Sequence, residues 1–485
     1  MSVADGSRGR PAGPTRNERR LRLGLLVLLV GFVVAGVLAA LGVGPLPKPP
    51  PAIPARPAGV GDPYGYVRTR EADYVARAAA GNAHVLFVKS PGGVLATAAR
   101  VASYRGLIDR VTAGTGIDPN LLEGLVFVES AGRPQIIAGS DPVNASGLTQ
   151  ILAQTGQSLL GMHINLAQSR KLTDQINAVA VGTRRGTLDP LLARRATVDP
   201  RFNPAAELAA TVHYLRLAET HFGREDLAIE SYHMGIGNLQ QVLGAYDGGR
   251  AVPYAQLYFD SSPDHHAAAY RLLSGFGDDS WLYYWRVLGA VQIMHLYRTD
   301  RAALVRLASL ENQDDAGAET LHPLVGPSFS DPSALASAYQ SRTVVPLPSN
   351  AHALGLAYNP GMGSGAKSMH VPRTLYLGLR PVAARLLVEL AGQVRALSGG
   401  EQPLLVDTTV MDKQYQQKTG QGFPGEFTGW SFQIARRYVS TTQANAFQAV
   451  LDRLQSLNLI AWAREPTTID ITVAADGDAT AGHGL

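Results

Sequence analysis

Residues 118–150 constrain this chain more than any other stretch. They read DPNLLEGLVFVESAGRPQIIAGSDPVNASGLTQ. Asp118 is a good N-cap, and Pro119 suits the first helical position. Leu122, Leu125 and Val126 then mark one face at i, i+3, i+4 spacing. The next position on that stripe is Glu129, a carboxylate where the pattern asks for an apolar residue. Ser130, Ala131 and Gly132 stop the helix, and Pro134 confirms the stop. The pattern therefore places Glu129 at a helix end, facing inward, beside a loop. Desolvation disfavours the charged carboxylate and raises its pKa. An acid still protonated near neutral pH can give its proton to a glycosidic oxygen. On this helix alone, the alternative is a boundary glutamate that bonds a backbone group or reaches water.

Further motifs accompany Glu129. Glu129-Ser130, Gly147-Leu148-Thr149-Gln150 and Ser231-Tyr232-His233-Met234-Gly235 follow one another along the chain. Together they resemble the ordered motifs of the soluble lytic transglycosylases, a family similar to goose-type lysozyme, here of a membrane-anchored actinobacterial type. That family shows Glu-Ser, Gly-Leu-Met-Gln and Ala-Tyr-Asn-Ala-Gly. The likeness spans residues 90–298. Thr149 stands in for Met, and His233 stands in for Asn. The resemblance implies Glu129 as the catalytic acid. It implies substrate contacts from Ser130, Gly147, Gln150, Tyr232, His233 and Tyr283, with Tyr232 orienting Glu129 or the sugar's N-acetyl group. It implies no metal and no cofactor. Read from the residues alone, a capping amide suits Gln150 equally, and a core tyrosine is the alternative for Tyr232. The aromatic run 281–285 suits either a sugar-stacking wall or core packing.

The termini set an expected location. Residues 1–22 are basic and polar and read as a disordered cytoplasmic tail. Residues 23–46 carry no charge, enough at 1.5 Å rise per residue to cross a hydrocarbon core of ~30 Å. Arginine flanks only their N-terminal side, so a single-pass anchor with an extracytoplasmic catalytic domain is expected. A cleaved signal peptide is the rival reading. Residues 47–63 are a proline-rich linker suited to polyproline II. There is no cysteine, which excludes disulfides, thiol nucleophiles and thiolate metal sites. A net charge of +4 with no basic run bearing aromatics leaves nucleic-acid binding unsupported. His265 and His266 are neighbours, and neighbours on a helix do not share a face, which argues against a metal pair.

The expected fold is mainly α. Residues 64–300 form a lysozyme-like helical transglycosylase domain, with helices over 64–80, 95–113 and 204–222 and an extended piece at 85–88. A helical run follows Gln150. Residues 301–369 read as a linker, 370–476 as a smaller α+β domain, and 477–485 as a disordered tail. The α+β domain is faintly similar to the D-Ala-D-Ala metallopeptidases through residues 426–434 and Asp470. Glu426, Gln433 and the region of Asp470 occupy that family's zinc-ligand positions without its histidines. It is therefore expected to be inert as a peptidase.

The resemblance implies cleavage of the MurNAc-β-1,4-GlcNAc bond of peptidoglycan with formation of 1,6-anhydro ends. The partners are then peptidoglycan glycan strands, the membrane through the N-terminal helix, and unspecified cell-wall synthesis or division proteins. Two alternatives remain open. One is lysozyme-like hydrolysis, with Asp141, Asp226 or Glu230 as the second carboxylate. The other is a non-catalytic wall-binding protein.

Overall fold

The helix that carries Glu129 spans Pro119–Ser130. Asp118 caps it by accepting from the Asn120 backbone N–H at 2.8 Å, and Ala131 ends it in the left-handed region at φ 55°. Its neighbour is the Tyr283–Thr299 helix. Gly124 makes the crossing close: a Cβ there would meet the Val287 carbonyl oxygen at 2.7 Å. Only hydrogen fits, so the two backbones approach and their apolar faces merge. Buried Leu121, Leu122, Leu125 and Val126 meet Trp285, Val287 and Ala290 in the core. Glu123, also fully buried, is held by Arg298 at 2.6 Å and Arg105 at 3.2 Å.

In this computed structural model the described residues are 64–181, 188–277, 279–312, 326–400, 402–422 and 424–475. Among the described residues between 64 and 312, the regular elements are all helices, joined by loops. A five-stranded sheet follows, built from β2 (Leu356–Tyr358), β4 (Leu404–Thr408), β5 (Ser431–Ala435), β6 (Ile460–Arg464) and β7 (Thr468–Val473), in the order β2-β4-β5-β7-β6. The β2/β4 pair is parallel and the rest are antiparallel. Two short strands, β1 (Val345–Pro346) and β3 (Gly378–Leu379), form a separate ribbon. Helices Pro381–Leu397 and Thr441–Ser456 pack together and bury Leu387, Leu390, Phe447 and Leu451.

One apolar core runs from the helical body into the sheet unit. The seam between them is also hydrogen bonded. Arg453 donates to the carbonyls of Tyr64 (3.0 Å) and Phe259 (2.5 Å). Tyr258 and Ser456 share a hydrogen bond at 2.7 Å.

Several expectations need correction. Residues 84–88 are helical, not extended: burial of Leu86 and Phe87 outweighs the strand preference of Val85 and Val88. Residues 95–113 form two helices, Val94–Ala102 and Arg105–Thr112, broken at Ser103-Tyr104. The run after Gln150 becomes helical only over Ala153–Ser158. Part of the supposed linker is ordered. Arg301–Glu311 is a helix capped by Asp300, and Pro332–Gln340 is a helix capped by Asp331. The sheet already begins at Leu356, before residue 370.

The membrane expectation is overturned. Among the described residues no helix is long and apolar enough to cross a membrane. Even the 19-residue Pro204–Phe222 helix carries Glu207, Arg216 and Glu219. The transmembrane element of the fold, the membrane as partner and the single-pass localisation are therefore withdrawn. Residues 1–63, with the tail, anchor and proline-rich linker read there, lie outside the described residues, as do 313–325 and 476–485.

Candidate active site

Glu129 sits one residue before the end of its helix and is partly exposed. Surrounding protein removes much of its hydration, and this burial pushes its carboxyl up to about 7. The Tyr283 hydroxyl donates to Glu129 Oε1 at 2.7 Å, which pulls the other way more weakly. Tyr283 is itself 3% exposed, at the first turn of the helix that Gly124 admits. Burial and the neighbouring Glu129 both hold its phenol well above its usual range.

The loop after this helix is tied across itself by backbone bonds. Ser146 bridges Ile137 and Ile151 across it, and Gly147 N–H donates to the Ile136 carbonyl at 2.9 Å. Gly147 has φ 93°, and a Cβ there would lie 2.0 Å from the Arg201 carbonyl oxygen. A side chain is therefore excluded both by conformation and by space. Gln150 takes φ 55° and turns its amide inward, donating to the carbonyls of Gly147 (2.8 Å) and Ile136 (3.3 Å).

Two acids that no motif singled out hold this loop from beneath. Fully buried Glu207 accepts from Leu148 N–H (2.5 Å), Thr149 N–H (2.8 Å) and Thr149 Oγ1 (3.0 Å). Burial nonetheless pushes Glu207 up to about 8 against those donors. Asp199 pairs with the fully buried Arg201 at 2.7 Å. The Arg201 guanidinium also donates to the carbonyls of Pro142, Asn144 and Ile151. A faint signal existed: Asp199-Pro200 and Asn203-Pro204 are capping pairs just before the helix that bears Glu207. Burial of charge at these positions was not readable from spacing.

The remaining expected residues divide. Tyr232 does not bond Glu129; its hydroxyl donates to the Thr149 carbonyl at 2.8 Å. Its ring stacks on Tyr283 with centroids 6.4 Å apart. Tyr232 thus joins the loop to the tyrosine that does reach Glu129. His233 is exposed, shares a hydrogen bond with Ser280 at 2.9 Å, and stacks on Tyr283 at 5.2 Å. Ser130 is buried and bonds back to the Val126 carbonyl. In the aromatic run, Trp285 is core, and Trp281 packs on Tyr258.

Each proposed second carboxylate is already engaged. Asp141 pairs with Arg170, Asp226 with Arg224 and the Tyr254 N–H, and buried Glu230 accepts from the Tyr284 N–H. A cavity of about 30 Å³ lies at the seam between body and sheet unit, lined by Tyr258, Trp281, Gln393 and Asp452 among others. It has room for water, and none of the site residues lines it.

In the sheet unit, the Thr408 hydroxyl faces both Glu426 and Gln433, and Gln433 stands opposite Asp470 in the β5/β7 register. Burial pushes Asp470 up to about 6.

A mainly helical body that sets a partly exposed acid, poised near neutrality, at a helix end has the parts needed to protonate a leaving group. Residues 106–185 match the family model of the Transglycosylase SLT domain. The match supports an enzyme of the glycan-cleaving, lytic-transglycosylase kind. It is shorter than the expected 90–298 and contains Glu129, Ser130, Gly147 and Gln150, but not Tyr232, His233 or Tyr283. Among curated proteins none matches the chain. The membrane-anchored actinobacterial type and the peptidase likeness of the sheet unit are withdrawn, because the match supports only this segment.

Proposed function

We propose that the protein cleaves the MurNAc-β-1,4-GlcNAc bond of peptidoglycan and leaves a 1,6-anhydro end, with Glu129 acting first as acid and then as base. The observation that carries this reading is the partly exposed Glu129 carboxyl, raised to about 7 and held by Tyr283. Because Oε1 accepts the tyrosine proton, the acidic proton sits on Oε2, free to move to the glycosidic oxygen. The O–C1 bond breaks, and the substrate's N-acetyl group helps to carry the positive charge at C1. The Glu129 carboxylate then takes the C6 hydroxyl proton as that oxygen closes on C1. An intramolecular nucleophile needs no second carboxylate to activate water, and the engagement of Asp141, Asp226 and Glu230 elsewhere fits this economy.

In this reading Gly147, Gln150 and Tyr232 shape the loop that faces the sugar. His233, exposed beside Tyr283, offers a polar edge to it. Ser130 secures the helix end from within. The purified protein should be incubated with peptidoglycan and the fragments analysed by mass spectrometry. Anhydro ends are expected. Reducing ends alone would replace the reading with hydrolysis, and full activity in Glu129→Gln would remove the assigned acid.

A further inference from the structure

His265 and His266, expected as neighbours on one helix, do not lie on a helix together. They sit in the turn between the Tyr254–Asp260 and Ala267–Gly275 helices. His266 takes the left-handed conformation at φ 49°, uncommon for L-residues but several-fold more frequent for asparagine, aspartate and histidine than for the rest. This backbone twist swings two successive imidazoles onto one carboxylate. The rings stand nearly perpendicular, 4.4 Å apart. One ligand-type atom from each of Asp260, His265 and His266 falls within 4.8 Å of the others.

The hydrogen bonds argue for a cation between them. His266 Nδ1 lies 3.0 Å from the Tyr246 carbonyl oxygen, which can only accept, so Nδ1 carries a proton. In the neutral ring, Nε2 then presents a lone pair, and it points at Asp260 Oδ2 from 3.5 Å. A metal ion set between that lone pair and the carboxylate would bind to both. The spacing suits the metal. Ligands about 2.0–2.1 Å from a tetrahedral zinc lie roughly 3.3 Å from one another. Asp260 Oδ2 lies 3.5 Å from His266 Nε2. His265 donates its Nδ1–H to the Asp260 backbone carbonyl at 2.9 Å, which leaves its Nε2 as the ring atom with a lone pair.

The outer contacts are also those of a prepared site. A metal-bound histidine commonly donates its other N–H to a backbone carbonyl, as His266 does here. The Tyr246 hydroxyl donates to Asp260 Oδ2 at 2.6 Å and in turn accepts from Gln256 at 3.0 Å. The turn is closed by paired backbone bonds between Ser262 and His265.

We propose that Asp260, His265 and His266 bind a divalent transition-metal ion of the zinc class, which fastens the ends of two helices to Tyr246 on a third, Ile236–Asp247. Two imidazoles and a carboxylate are a borderline-soft donor set, unlike the all-oxygen cages of calcium and magnesium. With three protein ligands, water completes the coordination, and the role is to fasten the fold.

The test starts from chelator-treated protein titrated with zinc by calorimetry. Cobalt(II) is used in parallel to read coordination from its visible absorption. We expect one zinc per chain, a tetrahedral cobalt spectrum, and a higher melting temperature with zinc. Asp260→Asn should weaken binding by at least about tenfold, and Tyr246→Phe by about tenfold. His266→Asn, whose asparagine tolerates the left-handed backbone, should fold as the parent does yet lose the zinc-induced rise in melting temperature. His163→Ala, at an exposed histidine outside the cluster, should change nothing. No zinc uptake, or uptake undiminished in both Asp260→Asn and His266→Asn, would overturn the proposal. So would saturation by magnesium or calcium in place of zinc.

Discussion

Tyr283 Oη stands 2.7 Å from Glu129 Oε1, across 154 positions of sequence. The contact exists because Gly124 lets two helices pack at backbone distance. It favours the ionised form of Glu129, so its removal has a predictable sign. Tyr283→Phe should raise the Glu129 pKa further and shift the alkaline limb of the pH–rate profile upward. A hydrogen bond to a charged group is worth about 1.5–3 kcal/mol, so kcat/KM should fall by about tenfold or more. An unmoved pH profile would mean that the tyrosine serves packing only.

Glu129→Gln keeps the shape and removes the proton. General acid–base catalysis typically contributes about 10²–10⁴-fold, and activity should drop by at least the lower figure. Circular dichroism should be unchanged. A soluble, folded variant that still releases anhydro products at the parent rate would exclude Glu129 as the acid.

The pH dependence follows from the same carboxyl. The first step needs Glu129 protonated, so activity should decline as pH rises past about 7. Stability should move in the same direction. The folded pKa of about 7 lies above the reference value of 4.5, so the folded state binds more protons between those limits. Stability from this group is full below about 4.5 and declines as pH rises toward about 7. The loss amounts to about 3 kcal/mol at most. Urea midpoints at pH 5 and pH 8 should show this decline, and the slope should be shallower in Glu129→Gln.

Glu207 provides a test of the loop. In Glu207→Gln an amide N–H₂ replaces one acceptor and faces backbone N–H groups of Leu148 or Thr149. A buried donor left unpaired costs about 1–3 kcal/mol. We predict a lower urea midpoint and reduced activity, with Gly147→Ala giving the same loss for a steric reason. If both variants are active and stable, the loop does not depend on these supports.

The buried Asp199–Arg201 pair should respond most sharply to removal of one partner. Arg201→Met leaves Asp199 buried without its guanidinium and strips three loop carbonyls of a donor. Breaking such a pair costs about 3–5 kcal/mol. Thermal unfolding would register this as a drop of many degrees, and a melting temperature like the parent's would refute it.

The amino-acid sequence by itself determined the local facts. Asp118-Pro119 began the helix, the apolar stripe ran into Glu129, and Ala131-Gly132 ended it where the capping pattern said. The helix over residues 204–222 was equally readable, because caps and periodicity act within a few residues. Tertiary structure alone decided which tyrosine reaches the acid. Tyr232 carried the motif, yet its hydroxyl went to Thr149, while Tyr283 took Glu129. It also decided that Glu207 and Arg201 would be buried beneath the loop, and that His265 and His266 would turn onto Asp260. These outcomes depend on side-chain pairings between distant segments and on the solvent that packing removes. No local pattern encodes either.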